Sequence, residues 1–154
     1  MRERVEGGRR VIPPVYFLLA LLLMVGLHLA VPILQVIQVP YRYGGLVFVL
    51  GGILLALWAV RLFGQAGTTI KPFQESSALV VAGPYRLTRN PMYVSMVGVL
   101  VGIGVLLGSL SPVIIIPLFV ALIDFRFIRS EEAALERTFG AEYVDYKARV
   151  RRWL

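Results

Sequence analysis

A chain of 154 residues, 58% of them hydrophobic and with a mean hydropathy of +0.77, carries its apolar residues in long runs, which leaves no room for a separate soluble enzyme domain. It has no cysteine, so disulfides, thiolate catalysis and Cys-based metal sites are excluded. The net charge of +7 suits anionic lipid head groups and membrane insertion, and nucleic acid is not needed to explain it.

Residues 1–10 are polar and carry Arg2, Arg4, Arg9 and Arg10. An apolar run over 14–37 comes next, long enough to span, since a crossing helix needs roughly 20 residues. It exceeds the roughly 7–15 residues of a signal-peptide core and leads to Gln35, Gln38 and Pro40 instead of a small-residue cleavage site, so it predicts a retained first helix. After a turn over 39–44, a second span is predicted over 45–63. Residues 64–91 are mixed and hold most of the polar chemistry between spans. A third span over 92–108 and a fourth over 112–126 predict a tight helical hairpin. In the tail, 127–154, Ser130 predicts a helix cap with Glu131 and Glu132 in the first turn, and Gly140 predicts a stop. A second short helix then carries Tyr143, Tyr146 and Val150, with Trp153 at the membrane interface.

The expected fold is therefore all-α: one polytopic membrane domain over 1–154, with four transmembrane helices and a short helical tail. Lys and Arg number four in the N-terminal segment, one in the first turn, four over 61–91, none at the hairpin tip and seven from Arg126 onward. Four spans put fifteen of these sixteen on one side. The positive-inside rule makes that side cytoplasmic, with both termini, the loop 64–91 and the tail on it, in a cell inner or plasma membrane.

Four groups of residues invite chemistry. The segment Gly83-Pro-Tyr-Arg-Leu-Thr-Arg-Asn-Pro-Met-Tyr93 opens the third helix, with Asn90 as N-cap and Pro91 in the first turn. A helix N-terminus with Arg86 and Arg89 beside it suits an anion, while arginines and tyrosines anchoring the helix at the head groups are the alternative reading. The Glu131-Glu132 pair suits ribose hydroxyls or a ligand cation, and equally a favourable first turn. Asp124, at the end of the fourth run, needs a partner near the membrane, with Arg126 and Arg129 at hand. His28 has no second ligand nearby in sequence, so an interhelical hydrogen bond explains it better than a metal. The spacings Gly98/Gly102 and Gly104/Gly108 predict close helix packing.

The order LV-x2-GPYR-x2-RNPMY, an apolar hairpin, then EEAAL-x3-FG-x2-Y-x2-Y-x3-V-x-RW strongly resembles the isoprenylcysteine carboxyl methyltransferase family, which is related to the membrane phospholipid N-methyltransferases. The resemblance covers about residues 63–153. It implies an S-adenosylmethionine site between the last two spans and the cytoplasmic tail, lined by Leu79, Val80, Tyr85, Asn90, Pro91, Met92, Tyr93 and Glu131. Arg89 and Glu132 belong to the same motifs. The eukaryotic form of the first motif reads Arg-His-Pro-x-Tyr, and Asn90 stands here for the histidine. Phe127 occupies the place of a substrate-contacting arginine, which leaves Arg126 and Arg129 as the nearby candidates for substrate binding. The resemblance thus implies a membrane methyltransferase that needs no metal and acts on a lipophilic or small acceptor, a carboxylate being most like the family. A phospholipid amine or small thiol is the alternative acceptor, and a non-catalytic membrane assembly protein is the alternative role. A carboxylate or thiolate acceptor needs no base, whereas an amine must first lose a proton, for which Asp124 or a tyrosine is the candidate.

Overall fold

The computed structural model describes residues 12–67 and 78–154. The four N-terminal arginines and Lys71 lie outside the described residues. Among the described residues the regular structure is helical, with two isolated bridges and no strand.

Helix α1, Pro13–Ala30, starts on two prolines, whose fixed φ suits a first turn and whose missing N–H costs nothing there. It ends seven residues before the predicted limit at 37. Val31 precedes Pro32 and leaves helical geometry, as a residue before proline tends to do. The next stretch crosses the end of the bundle: Val36 and Ile37 donate their N–H groups to the carbonyl of Gly108 at 2.8 and 3.1 Å, and Leu110 N–H donates to Ile33 O at 3.0 Å. His28 joins the same end through Nδ1, 2.7 Å from Ser109 Oγ, as the sequence predicts.

Helix α2, Gly45–Gln65, runs antiparallel to α3, Pro91–Leu107. Gly45, Gly52 and Ala59 recur every seven residues and are buried, so they form one stripe down α2. The backbones approach so closely that a methyl group on Gly102 would lie 2.6 Å from Gly45 O, and one on Gly52 would lie 2.7 Å from Ser95 O. Gly98 faces Gly52 across the same seam, which bears out the first glycine spacing. The second divides: Gly104 packs beside Met24, whereas Gly108 has φ 73° and closes the C-terminus of α3. The close antiparallel pair is α2–α3, and the α3–α4 hairpin is the looser one.

Helix α4, Ile115–Ile123, does not stop where the fourth run was predicted to end. It continues through a π-helical turn, Asp124–Ile128, into α5, Arg129–Phe139. Ser130 lies inside this continuous helix and caps nothing. Gly140 ends α5 with φ 52° and leads into α6, Ala141–Arg149, which carries Tyr143 and Tyr146 as predicted, while Val150 lies past its end in extended geometry.

Three segments, Pro13–Ala30, Tyr41–Gln65 and Ser111–Phe139, are helices long and apolar enough to cross a membrane. Helix α3 is a shorter apolar one of 17 residues. Met24, Leu100, Ile123 and Ile128 form the innermost core where α1, α3 and α4 meet. Outside it, Leu22, Leu29, Val47 and Leu54 are each more than 60% exposed. Such rows would be an aggregation hazard in water and are ordinary surface in lipid.

Candidate functional site

Three stretches distant in sequence meet at one end of the bundle: residues 85–93 leading into α3, the π turn with the start of α5, and the tail at 150–153. Backbone and side-chain hydrogen bonds hold the first to the third. Thr88 Oγ1 donates to Arg152 O at 3.0 Å, Asn90 Nδ2 donates to the same carbonyl at 3.0 Å, and Arg89 N–H donates to Arg151 O at 2.8 Å. The Tyr146 hydroxyl ties α6 to the turn before α3 by donating to Tyr85 O at 2.7 Å. Asn90 occupies the N-cap position of α3 but makes no side-chain cap; its amide fastens the tail instead.

The π turn widens the helix by about one residue and sets the carboxylates on either side of it. Glu131 accepts a hydrogen bond from the Tyr93 hydroxyl at 2.8 Å. Its neighbour Glu132 faces elsewhere, as adjacent helical residues do. It pairs with Arg89 Nη2 at 3.2 Å and takes both prongs of Arg152, Nε at 3.1 Å and Nη2 at 2.7 Å. Arg152 Nη1 also reaches Asp124 Oδ1 at 3.3 Å, and Arg129 Nε reaches Asp124 Oδ2 at 3.2 Å. The result is an alternating chain of charges, Arg89–Glu132–Arg152–Asp124–Arg129. Its inner end is dry: the side chains of Arg89 and Glu132 are 9% and 8% exposed. A charge pair this deep persists only with its hydrogen bonds satisfied, yet Arg89 Nε and Nη1 are buried without a hydrogen-bond partner.

The surrounding phenols are poor bases. Burial, reinforced by the charge of Glu132, pushes Tyr143 up to about 12. Burial likewise raises Tyr85 and Tyr146 above the ordinary tyrosine value. Hydrogen bonding to Glu132 raises Arg152, which holds its charge at any physiological pH.

Beside the charged chain lies an open groove of about 770 Å³. Ile116, Pro117, Val120 and Ala121 of α4 form an apolar wall that continues to Phe125. Arg89, Asp124, Arg152 and Trp153 close one end. Of the predicted cofactor residues only Arg89 lines the groove; Asn90 and Glu132 are tied to Arg152 at its end, Tyr93 pairs with Glu131, Tyr85 is held by Tyr146, and Pro91 and Met92 lie buried and half-buried in the first turn of α3. Leu79 and Val80 are half-buried in the stretch before it and do not line the groove. Of the two candidate substrate arginines, Arg129 pairs with Asp124, while Arg126 is exposed and outside the network. Arg152 and Trp153 were not singled out from sequence as site residues, although they end the tail motif V-x-RW.

Residues 40–142 match the model of the phospholipid methyltransferase family, and the chain belongs to that family. It is an integral membrane protein of a methyltransferase family, and the resemblance read from the RNPMY and EEAAL blocks is borne out at that level. It is 38% identical over 76 residues to the nickel-cobalt-cadmium resistance protein NccN of Alcaligenes xylosoxydans xylosoxydans. It is 35% identical over 77 residues to the cobalt-zinc-cadmium resistance protein CzcN of Cupriavidus metallidurans. Each match covers 49% of this chain and 35% of the relative, so the chain aligns with about a third of either protein. No solved structure matches the chain. Among the described residues no three His, Asp or Glu side chains gather as metal ligands.

Proposed function

We propose that this chain is a single S-adenosylmethionine-dependent methyltransferase domain that methylates a lipophilic carboxylate at the cytoplasmic face of the cell's inner or plasma membrane. Helix α3 is then a fourth crossing helix, and both termini lie in the cytoplasm. A reporter fused after Leu154 is expected to be active only in the cytoplasm, and activity only on the far side would reverse the topology.

One observation carries the reading. In a chain of this family, Arg89, with Nε and Nη1 buried and unpaired, lines the end of an apolar groove, and the first turn of the helix that follows it carries Tyr93, paired with Glu131. Tyr93 and Glu131 fit S-adenosylmethionine: a phenol and a carboxylate for its hydroxyl and ammonium groups, with the buried rings of Tyr85 and Pro91 on the segment that leads to Tyr93. When bound, that cofactor supplies an electrophilic methyl group on a sulfonium. The protein's part is to align the acceptor and exclude water. Val120, Ala121 and their neighbours hold an apolar tail, and Arg89 orients the anionic head. A carboxylate acceptor is already a nucleophile and needs no proton removed. The network suits this, since Tyr143 holds its proton and Asp124 is engaged by two arginines. A second reading, a phospholipid amine, is favoured by the family's own description, but it needs a base that these groups do not offer.

Calorimetry on the purified full chain with S-adenosylhomocysteine tests the proposal. Binding is expected, and Glu131→Ala should weaken it by about tenfold, which corresponds to one strong hydrogen bond. No binding by the wild type would sink the reading. Unchanged affinity in the variant would remove Glu131 from the site.

A further inference from the structure

The head of the groove holds more charge than methyl transfer requires. Two carboxylates stand there, Glu132 and Asp124, and one side chain of the protein itself occupies both. Arg152 grips Glu132 in a two-pronged contact at 3.1 and 2.7 Å and reaches Asp124 at 3.3 and 3.5 Å. A cationic ligand head group would seek the same two carboxylates.

The position of Arg152 does not depend on its ion pairs alone. Its carbonyl accepts from Thr88 and Asn90, and the preceding carbonyl accepts from Arg89 N–H. The segment that supplies Arg89 therefore also holds Arg152 against Glu132. Arg89 gives Glu132 only Nη2, while its Nε and Nη1 stay buried without partners. The charged residues lining the groove are Arg89, Arg152 and Asp124, a balance of one positive charge. Without Arg152 the lining would be neutral, and Glu132 would lose its two-pronged partner.

We propose that Arg152 is the charge selector of the groove: by filling the Glu132–Asp124 cradle it excludes cationic head groups and leaves Arg89 to receive an anionic one. It is a specificity-determining residue, distinct from those that hold the donor. The assignment rests on the methyltransferase reading only in treating the groove as the acceptor site.

Two amphiphiles with the same tail, dodecanoate and dodecyltrimethylammonium, test it in mildly alkaline buffer with the full chain in a nonionic detergent. Trp153 lines the groove and the chain has two tryptophans, so its fluorescence in a Trp58→Phe background reports occupancy. The wild-type site is expected to prefer the carboxylate by about fivefold, as for a partly exposed charge contact. Arg152→Gln should bring the ratio to one or below, and Arg152→Lys should keep the preference. Asp124→Asn supplies a second arm: it removes a negative charge from the lining and one of the contacts of Arg152, keeps Arg152 in its two-pronged grip on Glu132, and should increase the carboxylate preference. A wild-type site that favours the ammonium or shows no preference overturns the proposal. So does an Arg152→Gln protein that keeps the wild-type ratio. If Arg152→Gln does not fold, an unchanged or reduced preference in Asp124→Asn overturns it instead. S-adenosylhomocysteine binding, measured in parallel, keeps the two proposals apart: its absence in the wild type defeats the methyltransferase reading and leaves the charge preference to stand or fall on its own ratio.

Discussion

The α2–α3 pair and the junction of α4, α5 and the tail are held together by opposite means. In the first, side chains are missing where the helices touch: Gly45, Gly52, Gly98 and Gly102 let backbone meet backbone, and packing between surfaces already in lipid does the work. In the second, long charged side chains reach across three segments and pair with one another. In the first, backbone lies against backbone with no space for a methyl group at Gly45, Gly52 or Gly102. The second leaves an open groove and two orphaned donors. The contrast separates scaffold from site: close apolar packing fixes the frame, and the unfinished polar network is where a second molecule has something to complete.

The largest effect is expected at the centre of the polar network. Glu132→Ala leaves Arg89 and Arg152 without their shared counter-charge, and stranding a buried charge costs about 3–5 kcal/mol. Thermal unfolding of the purified protein should show a fall of that order. A loss under about 1 kcal/mol would mean that the network behaves like an exposed one, and the contrast with the seam would fail.

The seam should yield next. Gly102→Val forces a branched side chain against Gly45 O and Val49, and overpacking typically costs about 1–3 kcal/mol. Gly51→Ala, one residue from the seam stripe but with nothing within 4 Å, is expected to be neutral or slightly stabilising. Equal behaviour of the two variants in thermal unfolding would show that the close approach does not matter.

Much of the fold was readable in the residues. Long apolar runs must be helices, because lipid offers backbone groups no other partner. Gly140 and the tyrosines of the last helix obeyed local rules. The misses have local causes too. The first run stays apolar past Pro32, so composition hides the point where proline turns the chain. Ser130 lies just past the fourth run and looks like a cap, but the π turn lets α4 pass straight into α5. The candidate site was legible as two blocks, RNPMY and EEAAL. Pairing within it was not: Arg152 lies 20 residues beyond Glu132 and 28 beyond Asp124, and only the folded tail puts them in contact.

A smaller effect, confined to high pH, should also divide the two regions. Tyr143 titrates near 12 in the folded chain against an ordinary 10.0, so the folded state holds its proton longer than the unfolded one. The stability this gives is whole below about 10 and falls as pH rises through the window up to about 12. Tyr143→Phe should flatten the slope of stability against pH in that window. Tyr85 and Tyr146, raised in the same direction, would supply what slope remains. A wild-type stability that rises with pH there would contradict the burial of these phenols. Gly102→Val, which touches no phenol, should shift the curve down without changing its slope.

The smallest effect concerns the rim, where sequence alone ranks Arg126 and Arg129 equally. The fold separates them. Arg129 pairs with Asp124 and stacks over the Phe125 ring at 4.2 Å from its centre, but its side chain is 54% exposed. Water screens such a pair, and its loss in Arg129→Ala should cost at most about 1 kcal/mol. Arg126 has no contact with the network, so Arg126→Ala should leave both stability and S-adenosylhomocysteine binding unchanged. If Arg126→Ala instead weakened ligand binding while Arg129→Ala did not, the ligand would have to lie on the outer face of the π turn. The groove beside α4, and the division between scaffold and site drawn from it, would then be misplaced.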